Sequence, residues 1–531
     1  MAPSPMTPAQ RTVALVACLA TVILAVLDMQ IVSAATVPIA RDLDPVHGVD
    51  RIPWLISAYS LAATAVLPLY GKLCDVIGAK RVLLGSLTVF LAGSALCGAA
   101  RTMGELIAFR ALQGIGGGGL MSVTLVVLAQ LMAAAGKKGS NGGNMGGVIA
   151  GAGMALGPVL GGTLADHADW RWIFYINLPF GVAVVVALAW ALRLPRQTVA
   201  RRIDFLGAAL AAAFAAALLL VTEWGGTQYA WSSAVILGLI GAAILLLALF
   251  LRRQATAPEP ILPLSLLKHP VLRSSFALQG LLGVALTGSI VYVLMYLQLA
   301  RGVAATQASL YLIPMALGMA AVGLTSGRLA RRGWTTRTFV VSGTATATLA
   351  LALLSTSGAS TGLWFLRGEM LLLGLGFGQL LGQLVQLAQE TAPAHQLGVA
   401  TTATRFFQTL GSALGTALFG TVLARVYAAH VPGSTTGAIT HLTGAARTEA
   451  VHGFVTATHW VFLCAAGVMA LALLLSVLLP KQTGPARREP EPQPQSEREP
   501  QSEREPRSAS QSAPGPEPER EHAGTVAAER G

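Results

Sequence analysis

Long apolar stretches alternate with short polar segments along most of the chain. A scan for apolar stretches of roughly 20 residues, the length of helix that crosses a bilayer, gives about fourteen candidates. The seventh and eighth, 205–222 and 232–251, have almost no internal polarity. The pattern predicts an all-α polytopic membrane protein with about fourteen transmembrane helices. The candidate spans centre near Leu24, Ala62, Phe90, Leu120, Ala155, Val184, Ala213, Leu239, Ile290, Ala316, Ala347, Leu375, Gly411 and Ala470.

A weak internal repeat divides the candidate spans into two sets of six. Gly71-Lys-Leu after the second span has a counterpart in Gly327-Arg-Leu after the tenth. Gly153-Met-Ala-Leu-Gly in the fifth resembles Gly411-Ser-Ala-Leu-Gly in the thirteenth. Duplicated halves are typical of secondary transporters, so we expect two six-helix bundles with two inserted central helices. The predicted parts are a cytoplasmic N-terminus (1–11), an N-terminal bundle (12–193), the inserted helices (203–251), a C-terminal bundle (274–480) and a tail (481–531).

Composition supports the membrane assignment, because only 11% of the residues are charged, whereas soluble proteins carry roughly 25%. The formal net charge of +12 does not indicate nucleic acid as a partner, since the basic residues are spread over short loops without aromatic interleaving. The more basic loops, such as 72–81 and 328–337, alternate with sparser ones. This bias predicts a cell-membrane protein with the basic loops and both termini in the cytoplasm. The tail 481–531, rich in Pro, Glu, Arg and Ser, is expected to be disordered.

Asp28 lies at mid-depth in the first apolar segment, which runs from about Thr12 to Ile39. This segment is too long and too deeply interrupted by charge for a cleaved signal peptide. A carboxylate near mid-bilayer is unfavourable by ~3 kcal/mol, and burial favours its protonated form. Asp28 is therefore a candidate proton-coupling site. A neutral, hydrogen-bonded acid that only holds helices together is the alternative.

Arg110 lies about two turns into the fourth span and shares one helix face with Gln113. A cation at this depth needs a partner or water, so Arg110 is a second candidate for proton coupling. A structural pairing of Arg110 with a neighbouring helix end is the alternative. Gln113 is a candidate substrate ligand. Glu369 in the twelfth span is a further intramembrane acid and a third candidate for coupling.

The segment 71–81, between the second and third spans, combines an acid with flanking cations. Asp75 can cap the N-terminus of a partner helix or pair with a cytoplasmic arginine. Either contact would hold the cytoplasmic face in one state and break in the other. An ordinary basic turn is the alternative. The candidate residues of this conformational latch are Gly71, Asp75, Lys80 and Arg81.

Glutamine recurs along one face of the twelfth span. Gln379, Gln383 and Gln386 are spaced i, i+4 and i+7, so they line a cavity or bond to another helix rather than face lipid. Tyr292 and Tyr296 share a face of the ninth span. A glutamine face opposed to tyrosines would suit a bulky, partly polar organic substrate, while interhelical hydrogen bonding alone is the alternative.

Glycine recurs along one face of the fifth span. Gly153, Gly157 and Gly161 are spaced i, i+4 and i+8. Pro158 removes a backbone hydrogen bond in mid-segment, and Gly162 ends the run. A bare, bendable helix face suits a membrane protein that alternates between two shapes. An ordinary packing face of small residues is the alternative.

Cofactor and metal chemistry find no support in the sequence. The chain lacks the G-x-x-x-x-G-K-[ST] phosphate loop, and the G-x-G-x-x-G match at 114–119 lies in an apolar helix with no strand before it. The histidines between 430 and 459 are too widely spaced for a compact metal motif. No nucleophile–base constellation appears. We therefore expect neither an enzyme nor a bound cofactor. The intramembrane acid Asp28 makes a proton gradient the candidate energy source.

These motifs together resemble the major facilitator superfamily, in particular its fourteen-helix drug:proton antiporters, over about residues 12–480. In that family the first-helix acid is implicated in coupling, the fourth-helix motif is associated with proton transfer, and the fifth-helix motif is characteristic of exporters. Val76 departs from the pattern, since a basic residue is common there. The matching motifs are 27–38, 71–81, 110–114, 153–162 and 170–179.

The resemblance implies a proton-coupled exporter of hydrophobic drugs or antibiotics that works by alternating access and confers resistance. An exporter of an endogenous metabolite, such as a self-made antibiotic, fits the same fold. A passive facilitator or channel is a further alternative, and it would need neither Asp28 nor a proton gradient. The expected partners are the small-molecule substrate, protons and the lipid bilayer, and we expect a monomer.

Overall fold

A computed structural model describes residues 6–44, 52–134, 169–194, 204–226, 228–303, 305–358, 360–432, 439 and 442–480. The described residues all belong to one compact unit, 1–481, and the segment 482–531 lies outside them. The segment 135–168, with the predicted fifth span, also lies outside them. That segment contains Gly153, Gly157, Pro158, Gly161 and Gly162.

Helices account for almost all of the described residues, as a bilayer requires of a chain that must satisfy its own backbone polar groups. The helices are α1 (Pro8–Leu43), α2 (Ile52–Leu73), α3 (Ala79–Ala99), α4 (Met103–Ala134), α5 (Trp172–Tyr175), α6 (Asn177–Ala191), α7 (Phe205–Trp224), α8 (Ala234–Thr256), α9 (Leu264–Lys268), α10 (Pro270–Met295), α11 (Ala305–Leu310), α12 (Ile313–Arg331), α13 (Thr336–Leu354), α14 (Leu363–Thr391), α15 (Leu397–His430) and α16 (Gly444–Val477). Two π-helical segments, Cys74–Gly78 and Tyr296–Ala300, and a 3₁₀ turn, Ala394–Gln396, complete the helical structure described.

Twelve stretches of the described residues are long and apolar enough to cross a membrane. One of them, Trp54–Ala99, is 46 residues long and contains α3 and all but the first two residues of α2. The protein is therefore an all-helical, multi-pass membrane protein. The count of fourteen helices stays a prediction, because the predicted fifth span lies outside the described residues.

The connection between α2 and α3 differs from the loop expected at 71–81. The helix continues through the π-helical turn Cys74–Gly78 directly into α3. Gly78 has φ 92°, a conformation that favours glycine, and this residue lets the chain change direction without a loop. Hydropathy and charge report on burial but not on backbone conformation, which is why the sequence pattern suggested an ordinary loop.

The helices α1, α2, α3, α4 and α6 pack as a first group around a shared apolar core. Glycines let α4 approach its neighbours closely. A Cβ on Gly114 or Gly118 would collide with the backbone of α2, and one on Gly116 would collide with Phe90 of α3. The glycine run 114–119 is therefore a packing surface of small residues, which explains its resemblance to a nucleotide-binding loop.

The helices α10 and α12 to α16 pack as a second group around their own apolar core. The two groups meet where α15 packs against α2 and α4. The inserted helix α7 packs on both α2 and α15, and α8 packs on α7. Phe214 of α7 joins a buried cluster with Leu67 of α2 and Phe406 of α15. The inserted pair thus covers part of the junction between the groups.

Candidate functional site

A buried polar network joins four helices of the first group. Asp28 of α1 is 1% exposed and Arg110 of α4 is 2% exposed, and Asp28 Oδ2 lies 3.0 Å from Arg110 Nη1. Gln113 Nε2 and Asn177 Nδ2 donate to Asp28 Oδ1 at 2.8 and 2.9 Å. Both amides also donate to Ser94 Oγ, at 3.2 and 3.0 Å. The structure therefore brings Asp28, Arg110 and Gln113 into direct contact.

Neutral groups as well as Asp28 surround the guanidinium of Arg110. Its Nη1 donates to Gln113 Oε1 at 2.7 Å, and its Nε donates to the Leu55 carbonyl oxygen at 3.4 Å. The Tyr59 ring centre lies 4.3 Å from Arg110 Cζ, within the range of a cation–π contact. A buried ion pair is tolerated when further hydrogen bonds compensate for lost water, and these contacts supply that compensation.

The partners of Asp28 fit its ionised form. Among the described residues, Arg110, Gln113 and Asn177 all donate to it. A carboxylate can only accept hydrogen bonds. Oδ1 already accepts from two donors, so a proton there would face one of them and that partner would have to move. A proton on Oδ2 would remove the charge that pairs with Arg110. Protonation of Asp28 is thus linked chemically to the packing of α1 against α4 and α6.

At the basic end of the molecule, defined by the segment 71–81, α2 is joined to α15. The Gly398 N–H donates to Asp75 Oδ1 at 2.8 Å, and the Val399 N–H donates to Asp75 Oδ2 at 3.0 Å. These amides belong to the first turn of α15, whose N–H groups have no partner within the helix. The sequence suggested either a helix cap or an arginine partner for Asp75, and the structure contains the cap, on α15 of the second group.

Glycines bring the backbones of α2 and α15 together beside Asp75. A Cβ on Gly398 would lie 2.6 Å from the Gly71 carbonyl oxygen, and one on Gly71 would lie 3.0 Å from Val399 Cα. A larger residue at either position would push the helices apart, since side chains here have no free volume to occupy. Gly71 and Asp75, one turn apart, therefore form a single interface with the start of α15.

The other cations of the basic end have separate contacts. Lys72 Nζ lies 2.7 Å from Glu259 Oε2, in the segment after α8. Lys80 Nζ donates to two carbonyl oxygens at the end of α6, at 2.8 and 2.7 Å, where the helix dipole favours a positive charge. Arg81 is exposed. A cavity of about 350 Å³ adjoins Lys72 and Asp75.

Glu369 lies in the second group, near the start of α14. It is 2% exposed, and Ser357 Oγ donates to its two carboxylate oxygens at 3.1 and 3.0 Å. The Ser357 carbonyl oxygen in turn lies 2.9 Å from His459 Nε2 on α16. In the part of the chain that the structure describes, Glu369 is thus held by a hydroxyl and is separate from the Asp28 network.

The glutamine face of α14 meets different surroundings along its length. Gln379 accepts a hydrogen bond of 2.5 Å from Ser342 Oγ on α13. Gln383 is only 5% exposed. Gln386 Nε2 donates to Glu390 Oε1, one turn later, at 2.7 Å. Gln383 is therefore the most enclosed of the three predicted substrate ligands.

Tyr292 and Tyr296 make contacts within the second group. The Tyr292 ring packs edge-on against Phe419 of α15, with ring centres 6.2 Å apart. The Tyr296 hydroxyl donates to the Gly358 carbonyl oxygen at 2.7 Å. Neither contact involves a glutamine of α14, so these interactions do not bring the two predicted sets together.

Three polar residues of these interfaces carry no role in the sequence analysis. Asn177 and Ser94 complete the network around Asp28. Gln389 Nε2 of α14 donates to the Leu125 carbonyl oxygen on α4 at 3.3 Å, which links the second group to the first. Each is a polar residue in an apolar helix, and that is the signal by which the sequence points to it.

The arrangement is that of a transport protein: two helix groups, an ion pair buried inside one of them, and a close helix contact at their junction. The family model of the Major Facilitator Superfamily matches residues 18–204 and 203–416. The chain belongs to this superfamily and is a transporter, not an enzyme.

Similar proteins occur in bacteria and in human. An uncharacterized MFS-type transporter of Mycobacterium tuberculosis, Rv1877, is 34% identical over 486 residues, which cover 89% of this chain and 70% of that protein. The multidrug transporter protein MdtP of Bacillus subtilis is 32% identical over 414 residues, covering 78% of this chain and 75% of that protein. The crystal structure of the human organic anion transporter MFSD10 (TETRAN) matches 88% of this chain and 100% of its own, with a TM-score of 0.61 and 17% identity. This last likeness shows the fold alone.

Proposed function

We propose that this protein is a drug:proton antiporter of the cell membrane that exports hydrophobic drugs or antibiotics. The observation that carries the proposal is the Asp28–Arg110 pair, a buried carboxylate whose protonation would disturb contacts among four helices. Relatives named as multidrug transporter and multidrug resistance proteins, each 32% identical, support a drug as cargo.

In the proposed cycle Asp28 binds a proton and loses the contact with one of its hydrogen-bond donors. A proton taken from outside releases that donor and helps to displace substrate outward, and the proton then leaves to the cytoplasm as the carrier resets. Each step requires a ligand or proton whose affinity differs between the two states. With the basic end as the cytoplasmic end, the contact of Asp75 with α15 belongs to the state whose cytoplasmic side is closed.

Gradient-driven uptake into inverted membrane vesicles tests this function. The probes are norfloxacin and ethidium, two fluorescent antibacterial compounds of different charge. We expect vesicles that contain the full chain to accumulate at least one probe when their lumen is acidic. This accumulation should stop when a protonophore removes the gradient. Uptake that ignores the gradient would favour a passive facilitator. Gradient-driven uptake of a metabolite of the producing cell, with neither probe transported, would favour the metabolite exporter.

Replacing Gln383 by alanine is expected to change the substrate profile more than the coupling. Gln383 is buried in α14, and we expect its amide to form a hydrogen bond with one probe and not with the other. Loss of that bond, worth about 1 kcal/mol, corresponds to about a fivefold change in the ratio of norfloxacin to ethidium uptake. The dependence on the pH gradient should stay. Gln228→Ala, the same change at an exposed position between α7 and α8, is the matched control. An unchanged ratio in Gln383→Ala would assign this glutamine to packing alone.

A further inference from the structure

Arg405 is a cation within a membrane helix that has no acidic partner among the described residues. It is partly buried in α15, and its Nη1 donates to Gln408 Oε1 at 2.7 Å. No carboxylate oxygen of the described residues lies within 4.0 Å of it. Arg110, by contrast, is paired with Asp28. A positive charge inside a membrane protein needs a partner, so Arg405 can pair with an anion that does not belong to the described residues.

The contacts of α15 define the direction in which Arg405 faces. Thr401, one turn before Arg405, accepts a hydrogen bond of 3.2 Å from Gln389, which also bonds to α4. Thr402 lies against Gly71 of α2. Helix residues three and four apart share a face. Arg405 therefore lies on the face of α15 directed to the first group, one turn further from the basic end than the contacts that join the groups.

Exposure along this face increases with distance from the basic end. Thr401 is buried, and Arg405 and Thr409 are partly buried. Thr416, further along, is exposed. The exposed Leu414 lies about 200° around the helix from Thr416. The face with Thr416 therefore carries hydroxyl groups, whereas the face with Leu414 is apolar and suits contact with lipid. Arg405 thus occupies the inner end of a polar surface that lies between the two groups.

Gln279 of α10 adds a buried amide without a partner. It is 1% exposed, and neither its Oε1 nor its Nε2 has a hydrogen-bond partner among the described residues. One turn before it, Ser275 Oγ donates to the Leu384 carbonyl oxygen of α14 at 2.9 Å. One turn after it, Gly283 lies against the Gln408 carbonyl of α15. Gln279 therefore lies where α10, α14 and α15 meet, beside the turn that carries Gln408.

We propose that Arg405, Gln408 and Gln279 bind the carboxylate of the transported compound, and that the preferred substrates are organic acids. This inference rests on the proposed export function. Gln408 occupies one Nη1 donor of Arg405, and the remaining Nε–Nη2 edge of a guanidinium matches a carboxylate in bidentate geometry. A bound acid group would also give Gln279 the partner that a buried amide requires.

Equilibrium binding to the purified full-length protein tests the site without any gradient. The probes are dansylglycine, which carries a carboxylate, and dansylglycinamide, its neutral counterpart. We expect the wild type to bind dansylglycine at least about tenfold more tightly, a difference of about 1.4 kcal/mol. Arg405→Gln should abolish this preference by weakening dansylglycine alone. Arg405→Lys should keep part of it, since lysine keeps the charge but not the planar edge.

The matched control is Arg425→Gln, which removes an exposed arginine from the same helix and should leave the preference unchanged. Gln279→Leu provides a second variant if Arg405→Gln does not fold. Since it removes two unpaired buried polar atoms, we expect an unchanged or higher unfolding temperature together with weaker dansylglycine binding. Equal binding of the two probes by the wild type, or a preference that survives in Arg405→Gln or Gln279→Leu, would overturn the proposal.

The two proposals fail separately. If a pH gradient drives export while the wild type binds both dansyl probes equally, the carboxylate site is refuted and the antiporter function stands. If binding prefers the carboxylate and loses that preference in Arg405→Gln, while uptake ignores the gradient, the site stands and proton coupling is refuted. Gradient-driven uptake of norfloxacin, which carries a carboxylate, in preference to ethidium supports both.

Discussion

Replacing Asp28 by asparagine is expected to abolish gradient-driven export and to leave the protein in the membrane. Asparagine keeps the size of the side chain and one acceptor oxygen, but it cannot bind and release a proton. It also leaves the charge of Arg110 unbalanced in a buried site, and an unpaired buried charge costs about 3–5 kcal/mol. We therefore expect lower thermal stability as well, measured on the purified protein, beside norfloxacin uptake into inverted vesicles.

Two further variants separate coupling from stability. Glu449→Gln removes an exposed carboxylate of α16 and should change neither measurement. Asp28→Asn combined with Arg110→Gln removes both buried charges, so the double variant should regain part of the stability without regaining transport. Normal gradient-driven uptake by Asp28→Asn would refute the assignment of Asp28 to coupling.

Loss of the Asp75 carboxylate is expected to open the basic end of the molecule. Asp75 accepts two N–H groups from the first turn of α15, and such a cap contributes about 0.5–2 kcal/mol. Asp75→Ala should therefore shift the equilibrium between closed and open forms by up to a factor of about 30. Spin labels at Ile77 and His395, both exposed at this end, measure the shift as a longer or broader distance distribution.

Charge removal alone is a useful comparison for this contact. Asp75→Asn retains one acceptor oxygen and should give a smaller shift than Asp75→Ala. Glu390→Gln, an exposed change at the end of α14, is the control and should leave the distance distribution unchanged. An unchanged distribution in Asp75→Ala would show that other contacts between α2 and α15 suffice to keep this end closed.

The helices of the fold were largely predictable because hydropathy alone decides where a chain can cross a bilayer. The inserted helices α7 and α8 follow the predicted spans 205–222 and 232–251 to within a few residues at each end. The turn at Cys74–Gly78 was not predictable in the same way. Its course depends on a single glycine conformation, and no periodicity in the sequence reports that conformation.

Sequence alone pointed to some residues of the candidate site individually, but not to the network that joins them. Asp28 and Arg110 are conspicuous as charges in apolar segments, yet they are 82 positions apart in the chain, and nothing in a single sequence pairs them. Arg405 carries the same kind of signal and gained no role. Its proposed role follows only from its surroundings, because no helix among the described residues places a carboxylate within 4.0 Å of it. Likewise, the surroundings of Gln279 are set by helices distant in sequence.

The approach of Gly71 to Gly398 has a consequence for the membrane as an insulator. Where two backbones touch, no side chain can swing aside and no file of water molecules can pass between them. The proposed coupling to protons requires a resting conformation that is tight to protons, since every ion that leaks through dissipates the voltage and pH difference across the cell membrane. We expect these two glycines to matter to the cell even when no drug is present.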